Sequence, residues 1–161
     1  MPRVAEVWTE YELPGSVEQV ALLTSLERAN RIVGAALDAA IRPLGLSRAR
    51  FEVLLRLYDE PSGLLRLGKI GEALLVHPTS VTSLVDRLEK AGYVRRQLTA
   101  EDRRAVLVEI TDTGRRALLA AAEAFAAIDY GVGALTAAES TQLRRGLVKL
   151  MAGDGAEGVE E

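Results

Sequence analysis

At 161 residues the chain has room for one compact domain, or a small core with extensions, and its 48% hydrophobic content is ample for a core. Cysteine is absent and histidine occurs once, which excludes a thiolate metal site and a cysteine redox switch and makes any metal or other cofactor unexpected. No apolar run reaches the ~18 residues of a membrane span, and no basic-then-apolar leader opens the chain, so a cytoplasmic protein with no membrane partner is expected.

The net charge is −3 but unevenly placed. Residues 66–104 hold eight basic and five acidic side chains, a surplus of +3 that leaves −6 for the rest. Local rather than total charge sets attraction to phosphate.

Residues 1–15 form an N-terminal arm, a short helix or extended segment that turns at Pro14-Gly15. Trp8 is the only tryptophan. It reads first as an anchor for the arm, and alternatively as one wall of a ligand pocket. A long helix occupies 16–46, capped by Ser16 and ended by Pro43 and Gly45. Its apolar positions Leu22, Leu26, Ala29, Val33, Leu37, Ile41 and Leu44 step by three or four. Val20, Leu23, Ile32 and Ala36 widen that stripe beyond what one partner needs. Ser47 is expected to cap a helix through Tyr58 with Phe51, Leu54, Leu55 and Tyr58 inward. On it Glu52 and Arg56, four apart, suit a surface ion pair. A short strand is expected over Leu64–Leu67, then a helix over 68–74 with Ile70, Ala73 and Leu74 inward. Lys69 reads first as a solvated lysine and alternatively as a contact to backbone phosphate.

The stretch 77–104 carries the sharpest pattern. Val81, Leu84, Val85 and Leu88 make one apolar stripe of a helix over 78–91. Pro78 suits its first position and Gly92 its left-handed stop. Thr79, Ser80, Thr82, Ser83, Arg87 and Lys90 lie off the stripe. Short hydroxyls approach phosphates and base edges closely, and Arg and Lys neutralise phosphate, so this face suits a major groove. Arg87 reads equally as a phosphate contact or as partner to a nearby acid. His77, just before Pro78, reads as a cap or phosphate contact. A strand follows, then a charged tip, and then a strand with Val106, Val108 and Ile110 on one face. A groove-sized helix followed by a basic hairpin is a winged helix-turn-helix, with the wing over 97–106 able to reach a minor groove.

Thr111 caps a further helix in TDTG, with Leu118, Ala122, Phe125 and Ile128 inward, and Gly131 and Gly133 break it. Thr136 to Glu139 matches a capping box opening a last helix, with Leu143, Leu147, Leu150 and Met151 inward. The acidic tail 153–161 is expected to be disordered. The fold class is therefore mainly α (α+β): a winged core over 47–110 between a helix at 16–46 and helices at 111–152. The end helices carry more apolar surface than the small core can cover, so they are expected to be dimerisation helices.

HPTSVTSLVDRLEKAGYVRR followed by AEDRRAVLVEITDTG resembles the MarR family of winged-helix transcription regulators. The wing segment, Asp-Arg-Arg, a hydrophobic strand and Thr-x-x-Gly, is its most specific part. The resemblance implies a homodimer on a pseudo-palindromic double-stranded DNA operator, more often a repressor, released by a small aromatic or anionic effector. It matches Arg104 to a wing-tip arginine in the minor groove and Asp102 to the acid that orders it, with Arg103 meeting phosphate. It matches Thr82 to a DNA-contacting hydroxyl, while Ser83 stands where many relatives carry arginine or asparagine. For an effector, Trp8, Glu52 and Arg56 are candidates. No catalytic constellation occurs: there is no Gly-rich phosphate loop, H-E-x-x-H or G-x-S-x-G. The alternative reading is a winged helix used for protein assembly without DNA.

Overall fold

A computed structural model describes residues 2–11, 14–74, 78–98 and 106–153. The elements are α1 (Pro2–Glu10), α2 (Val17–Ile41), α3 (Arg48–Asp59), β1 (Leu64–Arg66), α4 (Leu67–Leu74), α5 (Pro78–Lys90), β2 (Val94–Leu98), β3 (Val106–Ile110), α6 (Asp112–Ala126) and α7 (Ala137–Gly153). The mainly helical, winged architecture is as the sequence reading has it. The acidic tail beyond 153 lies outside the described residues.

The three strands form one antiparallel sheet in the order β1-β3-β2. Val94 faces Ile110 and Leu98 faces Val106 across the wing, while Leu64 faces Glu109 on the other edge. The alternation on β3 buries Val108 and Ile110. They meet Val81, Val85 and Leu88 of α5, Ile70 of α4, and Val53, Leu54 and Leu57 of α3, all fully or almost fully buried. Leu118, Ala121 and Phe125 of α6 extend this core, and Phe51 meets Phe125 edge to face with ring centres 4.9 Å apart.

Helix ends follow their expected chemistry. Ser16 Oγ accepts the Glu18 amide at 3.2 Å. After Ile41 a single 3-10 turn over Arg42–Leu44 closes at Gly45, whose φ of +69° favours glycine. Helix α5 ends in a Schellman pair: Tyr93 N–H donates to Leu88 O and Gly92 N–H to Glu89 O, both at 2.9 Å, with Gly92 left-handed. Thr136 and Glu139 exchange the reciprocal bonds of a capping box, at 3.3 and 2.8 Å.

Several faces differ from the expected ones. On α3, Leu55 and Tyr58 are exposed and Val53 and Leu57 take the core, because α3 is wrapped by α4, α5 and β3 as well as α6. On α4, Ala73 is exposed and Gly71 is buried. On α6, Ala121 rather than Ala122 is fully buried, and Ile128 is exposed past the helix end. That helix stops before the glycines: Asp129 and Tyr130 both take positive φ ahead of Gly131, so three successive left-handed residues turn the chain. The C-terminal stripe is not inward within one chain. Leu143, Leu147, Leu150 and Met151 are 36–67% exposed, as are Leu22, Leu23 and Ile32 of α2 within that range.

Helix α1 of the arm is laid on α2, and half-buried Trp8 donates its indole N–H to Pro14 O at 3.0 Å. Trp8 is thus an anchor.

Candidate nucleic-acid interface

Helices α4 and α5 form a helix-turn-helix with α3 packed behind both. Thr79, Ser80, Thr82, Ser83 and Arg87 are all exposed on the outer face of α5. The start of α3 meets that face. An open groove is lined by Ser47, Ala49 and Arg50 from α3 and by Thr79, Ser80, Ser83, Leu84 and Arg87 from α5. The sequence reading singled out the α5 members and missed Arg50. Its signal was available: α3 opens with two arginines and no acid in its first turn, where the helix dipole disfavours cations. Arg48 has Asp38 for a partner. Among the described residues no carboxylate pairs with Arg50 or Arg87, so two guanidinium groups and a helix N-terminus face one groove. That is an arrangement suited to an anion.

The positive surplus of 66–104 is spent differently from a simple count. Arg96 of β2 is turned onto α5, where its guanidinium meets Asp86 Oδ1 at 2.6 Å and Glu89 Oε2 at 2.8 Å. Its backbone amide donates to Glu89 Oε1 at 3.0 Å, and Nη2 reaches Thr82 O at 3.4 Å. Both carboxylates of α5 are thereby held at its flank and neutralised, and the wing strand is tied to α5. Arg95 makes a bidentate pair with Glu109 at 2.6 and 2.9 Å, and Gln97 joins the same carboxylate. The bonds from Arg95 hold the Glu109 carboxyl below its ordinary range. Lys69 is exposed, as its reading as a solvated lysine has it, and pairs at the surface with Glu72 at 2.8 Å. Uncommitted cations at the groove are therefore Arg87 and Arg50, rather than the whole basic run.

The other expected site residues divide clearly. Helix α5 starts at Pro78 as expected. His77 and the wing tip with Asp102, Arg103 and Arg104 lie outside the described residues. Glu52 and Arg56 are exposed on α3, with no ion pair joining them among the described residues. Trp8 belongs to α1, which packs on α2, and shares no described cavity with Glu52 or Arg56. Ser47 holds the capping position of α3 but makes no capping bond. Asp38 of α2 accepts the first amide of that helix, from Arg48.

A helix-turn-helix backed by a β-hairpin, with an exposed hydroxyl-and-arginine face, defines a winged-helix DNA-binding regulator. The MarR family pattern matches residues 46–106. The chain is 31% identical over 113 residues to the HTH-type transcriptional regulator PecS of Dickeya dadantii (strain 3937), spanning 69% of this chain and 68% of that one. It is 40% identical to Sco5413, a MarR family transcriptional regulator from Streptomyces coelicolor, with a TM-score of 0.78 over 88% of this chain and all of that one. A mutant MarR from E. coli complexed with operator DNA is 25% identical, with a TM-score of 0.73 over 83% of this chain and 95% of that one. The chain spans about half the length of several other curated relatives that it matches. The chain belongs to the MarR family and is a DNA-binding transcription regulator, not an enzyme.

Proposed function

We propose that this regulator works as a homodimer that sets α5 of each subunit into the major groove of a pseudo-palindromic duplex, with the 97–106 wings in the flanking minor grooves. The observation that carries the reading is the groove shared by α3 and α5, where Arg50, Arg87 and four hydroxyls converge. Thr79, Ser80, Thr82 and Ser83 approach the bases, and Arg87 and Arg50 meet phosphate. Arg103 and Arg104, ordered by Asp102, act at the wing tip, and His77 and Pro78 open the helix beside the backbone.

Dimer formation is supported by an apolar trough between α2 and α7. Leu22 and Leu26 face Leu143 and Leu147 across it, with Leu135 and Leu150 at one end and Ala29 and Val33 at the other. Water is a poor occupant for such a surface, and a second copy's equivalent helices match it in length and character. The segments 16–46 and 111–152 are then dimerisation elements and 47–110 the DNA-binding core. Two α5 helices about one helical turn apart read half-sites centred roughly 10 bp from each other.

Repression relieved by a small aromatic or anionic effector completes the proposal. A ligand acts only by preferring one spacing of the two α5 helices. With Trp8 serving as the arm's anchor, and Glu52 and Arg56 on the solvent side of α3, no pocket is assigned to it.

The test is a titration of duplex with protein at several salt concentrations. Arg87→Ala and Arg104→Ala are each expected to lower the slope of log K against log salt by about one unit. An unchanged slope removes that arginine from the interface. Wild-type protein with no salt-sensitive binding would favour the assembly-module reading.

A further inference from the structure

At the junction of α2 and α3 a carboxylate of one helix holds the first amide of the other, a contact that the DNA face alone does not demand. Ser47 has the extended backbone of a capping residue (φ −121°, ψ 161°), yet its hydroxyl caps nothing. A serine there ordinarily accepts from the second or third amide of its helix. The first amide, that of Arg48, is held from outside: Asp38 Oδ1, on α2, accepts it at 3.1 Å. Its Oδ2 lies 3.4 Å from Arg48 Nε, an ion pair without hydrogen-bond alignment. The Arg48 guanidinium in turn lies so close to Gly34 of α2 that a Cβ there would stand 2.8 Å from Nη2. Gly34, Asp38 and Arg48 thus interlock the two helices. Ser47 Oγ, which makes no cap, accepts from Arg50 Nε at 3.3 Å and lines the groove beside it. The hydroxyl proton of Ser47 is available to an incoming acceptor.

We infer that Asp38 is a positioning residue for DNA binding: by holding the first amide of α3 onto α2, it keeps the Ser47 hydroxyl and the Arg50 guanidinium directed at a backbone phosphate. This rests on the proposed reading of the groove as a phosphate site. It also makes the start of α3 follow any movement of α2, since the acceptor belongs to α2. By charge alone a carboxylate near this groove opposes DNA, so its removal would strengthen binding. Positioning predicts the opposite sign.

The experiment uses the full chain with Asp38→Ala, Asp38→Asn, Ser47→Ala and the Asp38→Ala/Ser47→Ala pair. Binding to a mixed-sequence duplex in dilute buffer is read by anisotropy, and melting by circular dichroism. Asp38→Ala and Ser47→Ala are each expected to weaken binding about fivefold, the loss that follows one misplaced cap-strength hydrogen bond. The pair should be no worse than either single change. Asp38→Asn should retain most of the affinity, because its amide oxygen still accepts. Melting should fall for Asp38→Ala and stay unchanged for Ser47→Ala. The inference is overturned if Asp38→Ala binds as tightly as wild type or more tightly, if the two losses add, or if Ser47→Ala lowers the melting temperature as a lost cap would. The Ser47→Ala arm keeps the test decisive even if Asp38→Ala fails to fold. Wild-type protein that ignores duplex altogether overturns the groove reading and this inference together; normal wild-type binding with an indifferent Asp38→Ala overturns this inference alone.

Discussion

Arg96 shows how far one side chain can decide the behaviour of a surface. It sits in a basic run that reads as cationic, but it faces two carboxylates of the neighbouring helix and leaves no charge for DNA. With Arg96 about a quarter exposed, the pairs are partly shielded from solvent screening. Arg96→Met is expected to destabilise the protein by about 1–2 kcal/mol, since two acids lose their partner at once. It should also weaken DNA binding, because Asp86 and Glu89 would then stand unneutralised beside the recognition helix. Adding Asp86→Asn and Glu89→Gln to Arg96→Met should recover affinity more than stability. Denaturant melts and anisotropy on the same samples separate the two, and recovery of neither would mean that Arg96 acts only as a spacer. Adjacency in sequence cannot foretell this division of labour: Arg95 and Arg96 point to opposite sides of a strand, and only the packed sheet says what each side meets.

Among the elements, the TDTG segment explains its own composition. Thr111 Oγ1 accepts the Gly114 amide at 3.0 Å and donates to Gly92 O at 2.7 Å, so one hydroxyl caps α6 and ties it to the end of α5. Gly114 lets that first turn lie against the backbone of Tyr93; any Cβ there overlaps the Tyr93 carbonyl oxygen. Gly114→Ala is therefore expected to cost about 1–3 kcal/mol through a forced backbone shift, seen as a lower melting midpoint. An unchanged midpoint would mean that α6 can pivot freely at its start. The capping box of α7 gives a pH effect. The Thr136 amide, and then its hydroxyl, hold the Glu139 carboxyl below its ordinary range. A depressed folded value means that the stabilisation is complete above the unfolded value of roughly 4.3 and is lost as pH falls through the folded one. Protection of the first-turn amides of α7, relative to their intrinsic exchange rates, should fall as pH drops below the unfolded carboxyl value of roughly 4.3, and Glu139→Gln should remove most of that dependence.

At the scale of the molecule, the trough of α2 and α7 is an apolar surface that the described residues of a single chain leave uncovered. Leu147 contributes to both ends of it. Leu147→Glu is expected to yield monomers by sedimentation while the winged core stays folded, and to weaken duplex binding about a hundredfold or more through lost two-site engagement. Dimers that persist in this variant would place the contact elsewhere. The sequence reading rightly identified this stripe as apolar but called it inward. Periodicity reveals that a face must be covered, not which chain covers it.

The amino-acid sequence by itself determined the local grammar: where helices start and stop, the stripe of α5, the alternation of β3, the caps at Ser16, Thr111 and Thr136, and the family. Each depends on neighbours within a turn or a strand, so short-range spacing suffices. Tertiary structure alone decided which half of α3 is buried, that Arg96 belongs to the helix, and that Asp38 of α2 holds the first amide of α3. Those outcomes depend on groups brought together by folding. A side chain ten residues away can accept a helix's first amide when packing brings it to the right place, and no local pattern records that approach.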